Sequence, residues 1–214
     1  NMTKDLIEYI AHQNKPILLS TGMTTYEEIG ISLSILNAQG SKDITILHCI
    51  SNYPASDDEL NLNTLKLLKE KFKSKIGYSD HSLGNEACIA AVIMGAEVIE
   101  KHVTFDQNAE GPDHKASSTI EEFEQLVLSI RRSEKMLGNN IKSFSESEKK
   151  IRLMARKSIV SSVNIPKGTT INESMICFKR PGTGIPSLKA HLVIGKKAKC
   201  DISLNKIIKL DQLS

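Results

Sequence analysis

Four short apolar runs, about thirty residues apart, constrain this chain more than any other feature. They are "PILLS" (16–20), "ITILHC" (44–49), "KIGYS" (75–79) and "EVIEKH" (97–102). Each is short, rich in β-branched residues and almost free of alternation, which is how a strand buried on both faces reads. Helical patterns lie between them. Tyr26 to Ala38 carries Ile29, Leu33 and Leu36, Leu60 to Phe72 carries Leu65, Leu68 and Phe72, and Asn85 to Met94 is rich in alanine. Thr25 with Glu28, and Ser118 with Glu121 ahead of "IEEFEQLVLSIRRSEKML", have the spacing of capping boxes. Strand–helix repetition of this kind predicts an α/β fold with a parallel sheet, either open or closed into a barrel.

The beat stops after Gly138. "NNIKSFSESEKKIRL" is polar and strandless, a linker with a short helix, and from Lys157 onward the chain turns β-branched and turn-rich. The expected division is a strand–helix unit over 1–140, a linker over 141–154 and a small, mostly-β domain over 155–214.

Bulk properties exclude several classes. The net charge is +3, and basic residues are mixed with acidic ones, so there is no nucleic-acid footprint. The apolar runs are too short to span a bilayer. Cys49, Cys88, Cys177 and Cys200 form no CxxC pair, which points to reduced thiols and a cytoplasmic location.

In parallel α/β folds, chemistry collects where strands end. Here each run delivers polar groups: Ser20 and Thr21; His48, Cys49, Ser51, Asn52 and Tyr53; Ser79, Asp80 and His81; Glu100, Lys101 and His102. Either His81 or His102 alone reads as a residue bonding nearby backbone. As a pair on adjacent strands they read as two nitrogen ligands of an open Mn²⁺ or Mg²⁺ site, completed by water or substrate. Asp80 and Glu100 could orient those imidazoles or simply pair with Lys101. Asp113, His114 and Lys115 in "GPDHKAS" are either a solvated loop or part of the site. His48 and Cys49 are adjacent in a strand and so face opposite ways, which argues against a nucleophilic dyad. Arg180, beside the glycine-rich "RPGTGIPS", is a surface charge or a carboxylate or phosphate anchor.

The motifs "STGM" (20–23), "LHCISNYP" (47–54), "GYSDHS" (77–82), "EKHVT" (100–104), "GPDHKAS" (111–117) and "KRPGTGIP" (179–186), taken in order, resemble the sialic acid synthase family. The resemblance implies the C-terminal half of a (β/α)₈ TIM barrel, strands 5–8, followed by an antifreeze-like SAF domain. It implies condensation of phosphoenolpyruvate with N-acetylmannosamine or a related N-acyl amino sugar, with release of phosphate. The products include legionaminic and pseudaminic acids.

By position, His81 and His102 correspond to the family's Mn²⁺ ligands, and Asp113 to an acid near the reacting carbonyl of the acceptor. Ser79 corresponds to a residue near phosphoenolpyruvate and Tyr53 to a tyrosine of the sugar pocket. Ser51 stands where relatives can carry asparagine, with Asn52 beside it. Arg180 corresponds to an arginine lent to the partner subunit in a domain-swapped homodimer. The family's first four strands carry a glutamate, two lysines and a further acid that have no counterpart here, so this chain alone is expected to be inactive. Two other readings are a related 3-deoxy-heptulosonate synthase and a non-catalytic sugar-binding or dimerisation module.

Overall fold

The computed structural model describes residues 3–214, which fall into two compact units divided after residue 140. In the first, four strands alternate with helices. They are α1 (Lys4–Ala11), β1 (Ile17–Ser20), α2 (Tyr26–Ala38), β2 (Ile44–Cys49), α3 (Thr64–Phe72), β3 (Lys75–Asp80), α4 (Glu86–Ile93), β4 (Val98–Lys101) and α5 (Ile120–Leu137). All neighbouring strands pair in parallel, in the order β1-β2-β3-β4. The sheet curls as half of a barrel, the form that the family resemblance implies and that the strand–helix beat alone left open.

Strand alternation sorts the side chains into two layers. Ile44, Ile46, Ile76 and Tyr78 pack under the helices with Leu36, Leu65, Leu68, Cys88 and Leu126. Each large aliphatic side chain removed from water here contributes about 1.5–3 kcal/mol. Leu47, Cys49, Gly77 and Ser79 face the other way. Gly77 leaves room on that side for its partners on both neighbouring strands, Leu47 and Val98. A Cβ there would sit 2.3 Å from Leu47 Cδ2 and 2.7 Å from the Val98 carbonyl oxygen.

Two helix starts differ from the expectation. α3 begins at Thr64, because Asn61 takes a left-handed φ of 43° and breaks the turn that follows a 3₁₀ segment at Asp57–Glu59. The capping box ahead of α5 is Thr119 with Glu122, not Ser118 with Glu121. Ser118 is still engaged in the loop, its N–H donating to the His102 carbonyl at 2.9 Å, so the helix starts one residue later.

The second unit contains α6 (Glu146–Ala155), β5 (Ser158–Ser161) and β6 (Ile176–Lys179). α6 opens with a capping box of Ser145 and Glu148. β5 and β6 pair antiparallel. Much of the remaining β structure is single bridges, such as Val160 with Ile207, Ile165 with Ile202 and Thr170 with Lys197. Side chains complete the backbone pairing: Ser161 Oγ donates to the Ser203 carbonyl at 2.5 Å and accepts the Lys206 N–H at 3.0 Å. Ile159, Ile165, Ile171, Val193, Ile202 and Ile208 form its core.

Overpacking a close-fitted strand contact costs about 1–3 kcal/mol. Gly77→Ala should therefore lower the urea midpoint of the first unit by a corresponding amount. An unchanged midpoint would mean that β4 yields freely at that contact.

Candidate functional site

The site is built by the register of β3 against β4. Ser79 lies opposite Glu100 and Asp80 opposite Lys101, so His81 and His102 follow immediately after paired residues. Their rings meet edge to face with centroids 5.2 Å apart. Tyr53, from the loop after β2, stacks on His81 at 4.0 Å and lies 5.1 Å from His102. Asp113 Oδ2, from the loop after β4, is 3.9 Å from His102 Nδ1. Three of the four strand exits or following loops thus converge on one aromatic and carboxylate cluster.

The bonding of His81 determines its tautomer. Nδ1 lies 2.6 Å from the Ile50 carbonyl, which can only accept, so Nδ1 carries the proton. Nε2 is then the lone-pair nitrogen and accepts the Tyr53 hydroxyl at 3.0 Å. Burial, followed by the neighbouring His102, pulls the imidazole pKa down, although the Ile50 carbonyl works the other way. A neutral ring with an oriented Nε2 is the form that binds a divalent cation. The donor set therefore fits an ion, but not a closed site. Among the described residues no group of three or more His, Cys, Asp or Glu side chains is gathered to hold one.

The other expected residues divide. Ser79 is buried and donates to Glu100 Oε1 at 2.6 Å, on the same face as Cys49. Ser51 lies against the exit of β1, so close that a Cβ on Gly22 would come within 2.1 Å of its Oγ. Asn52 instead donates its amide to Glu59 at 3.0 Å on the exposed surface. Arg180 lies in the second unit, where its Nε donates to the Ala155 carbonyl at 3.0 Å.

His48 and Cys49 do face apart. His48 Nε2 donates to the Leu60 carbonyl at 2.7 Å on the helix side, whereas Cys49 Sγ is 3.9 Å from His81 Nδ1. Burial pushes the Cys49 thiol up, so it is not a thiolate nucleophile at neutral pH. Asp80 turns to the helix side and pairs there with Lys101. Burial raises the Asp80 carboxyl, but bonds from Lys101, Ser82 and Cys88 outweigh it and leave its pKa below the usual value.

Two contacts were not foreseen from the residues: the stacking of Tyr53 on His81, and the 2.8 Å bond between Thr104 Oγ1 and His114 Nδ1 that ties the loop after β4. The only sequence signal for either was the crowding of polar residues at those exits.

The sequence profile of the NeuB family matches residues 1–142, and that of the SAF domain matches residues 156–214. The chain belongs to the NeuB family. It is 45% identical to an uncharacterized protein of Methanocaldococcus jannaschii, over 97% of this chain and 62% of that one. It is 42% identical to the N,N'-diacetyllegionaminic acid synthase of Campylobacter jejuni, over 95% of this chain and 61% of that enzyme. The crystal structure of an N-acetylneuraminic acid (sialic acid) synthetase from Leptospira borgpetersenii, in complex with citrate, superposes with a TM-score of 0.63. That pair is 37% identical, over 69% of this chain and 51% of the other. The chain thus spans about three fifths of the length of the NeuB relatives it matches, 62% and 61% of the two curated proteins. Among the described residues no helix is long and apolar enough to cross a membrane.

Burial lowers the pKa of His48, with the Leu60 carbonyl opposing it. An unfolded histidine titrates near about 6.5, so below that pH the unfolded chain takes up a proton that the native chain resists. The stability contributed by neutral His48 is complete above about pH 6.5 and falls as the pH drops, by up to about 1.4 kcal/mol per unit. His48→Gln keeps a donor for Leu60 without a titrating ring. Urea unfolding at pH 7 and pH 5 should show a smaller loss for that variant than for the parent; equal losses would rule out this source.

Proposed function

We propose that this chain forms the metal-binding and acceptor-binding part of a nonulosonic acid synthase. The reaction is condensation of phosphoenolpyruvate with an N-acyl amino sugar, with release of phosphate. The convergence of His81, His102, Tyr53 and Asp113 carries this reading. Membership of the NeuB family narrows the chemistry, and the name of the Campylobacter relative favours a legionaminic-type product over N-acetylneuraminate.

His81 and His102 would hold Mn²⁺ or Mg²⁺, which when bound supplies Lewis-acid polarisation of the acceptor aldehyde. The remaining roles belong to this chain's side chains. Asp113 sits at the exposed mouth beside His102 and accepts hydrogen bonds from the sugar hydroxyls, which fixes the acceptor in the chain-open orientation needed for attack. Tyr53 offers a flat apolar ring and a hydroxyl to the same sugar. Ser51, packed against Gly22, presents a small polar group for the carboxylate or phosphate of phosphoenolpyruvate, and Ser79 joins it by turning its hydroxyl from Glu100 to the ligand. Asn52, bonded to Glu59, serves the loop rather than the substrate. Arg180 supplies a guanidinium for developing anionic charge, lent across a domain-swapped homodimer. The location is cytoplasmic, where phosphoenolpyruvate is available.

The experiment joins residues 1–214 behind the leading barrel segment of the Campylobacter relative. It measures Mn²⁺-dependent phosphate release from phosphoenolpyruvate with a panel of N-acyl amino sugars. Release is expected with a 2,4-diacetamido sugar in preference to N-acetylmannosamine and is abolished by chelation; residues 1–214 alone should give none. Asp113→Asn should raise the sugar KM at least about tenfold, the loss of one charge-assisted hydrogen bond of about 1.5–3 kcal/mol, with the phosphoenolpyruvate KM unchanged. Unchanged sugar KM and turnover would remove Asp113 from the acceptor site, and no release with any sugar would remove the synthase reading.

A further inference from the structure

Directly behind the two histidines lies an ion pair whose burial is hard to explain by stability. Asp80 and Lys101 are cross-strand partners, and the next residue on each strand is His81 and His102. Lys101 Nζ is 2.7 Å from Asp80 Oδ2, with the two side chains 2% and 0% exposed. The carboxylate is fully engaged. Oδ1 accepts the Tyr78 hydroxyl at 3.0 Å, the Ser82 N–H at 2.9 Å and the Ser82 hydroxyl at 2.7 Å. Oδ2 also accepts the Cys88 thiol at 3.1 Å, and Lys101 makes a second bond to the Ser82 carbonyl at 2.9 Å.

Desolvating two ions offsets most of their attraction, and an apolar pair of similar volume often folds as well or better. A network of this kind can serve registry instead. This one joins β3 through Tyr78 and Asp80, β4 through Lys101, α4 through Cys88, and the turn after β3 through Ser82. His81 is the residue between two anchored neighbours, and its own carbonyl accepts the Ala55 N–H at 2.9 Å. His102 follows Lys101 directly and has its carbonyl bonded by Ser118. Because side chains alternate, fixing Asp80 and Lys101 on the helix side fixes the two imidazoles on the opposite side.

We propose that Asp80 and Lys101 are positioning residues, which lock the exits of β3 and β4 so that His81 and His102 act as one two-nitrogen donor for a divalent ion. The inference rests on the metal reading above, although the positioning itself can be observed without metal. The double variant Asp80→Asn/Lys101→Met removes both charges at similar volume. It should remain folded, with a urea midpoint close to the parent's. In metal-free protein, its imidazole ¹⁵N–¹H signals for His81 and His102 should shift and broaden as the rings lose their fixed separation. Mn²⁺ affinity by calorimetry should fall about 10- to 100-fold, the usual effect of removing groups that orient ligands. Tyr78→Phe keeps the ion pair and deletes one donor. It should give a smaller shift of the same signals and keeps the test decisive if the double variant does not fold.

Sharp, unshifted imidazole signals in the folded double variant, or in Tyr78→Phe should the double variant fail to fold, would overturn the proposal. If the parent binds no Mn²⁺ in a manner sensitive to His81→Ala and His102→Ala, yet the signals still broaden in the double variant, the positioning stands and the metal reading falls.

Discussion

The parallel register between β3 and β4 is the constraint on which the rest of the first unit depends. With Ser79 opposite Glu100 and Asp80 opposite Lys101, one residue step decides which face receives each group. A slip of β4 by one position would turn Glu100 in among Ile76, Tyr78 and Cys88 and carry Lys101 away to the opposite face, leaving the Asp80 carboxylate buried without its cation. The register is held from both layers. Leu47 over Gly77 closes one side, and the network around Asp80 closes the other. The two histidines inherit their separation from that double fit, and the loops carrying Tyr53 and Asp113 only have to reach a point already set.

The strands were legible in the sequence because each is a continuous apolar run ended by an abrupt polar turn, and a fully buried parallel strand has no other requirement to blur it. His81 and His102 were legible as a pair for the same reason, being the first polar residues beyond adjacent strands. The paths of the loops were not legible. Asn52 and Tyr53 are polar neighbours in one loop, yet Asn52 is tied to Glu59 while Tyr53 folds over His81. That choice depends on the course of residues 50–60 through space, which no local pattern encodes. The start of α3 was hidden behind a single left-handed asparagine, and the cap of α5 behind a loop bond of Ser118. Both are backbone events that side-chain periodicity does not register.

The second unit shows the opposite case. Its turn residues were visible, but its pairing was not, because most of its bridges join one residue to one residue and leave no period to read. Order there comes from aliphatic side chains such as Ile159, Val193 and Ile208 at full burial, and from hydroxyls that complete the backbone's hydrogen bonds. A fold stitched in this way tolerates irregular backbone because each polar group is satisfied individually rather than as part of a ladder.

The bond from the Tyr53 hydroxyl to His81 Nε2 makes the centre of the site self-plugged. Whatever arrives at that nitrogen, proton or cation, enters by exchange rather than by filling a vacancy, and the measured affinity is a difference between two bonds. One hydroxyl therefore ties the occupancy of that nitrogen to the position of the Tyr53 ring.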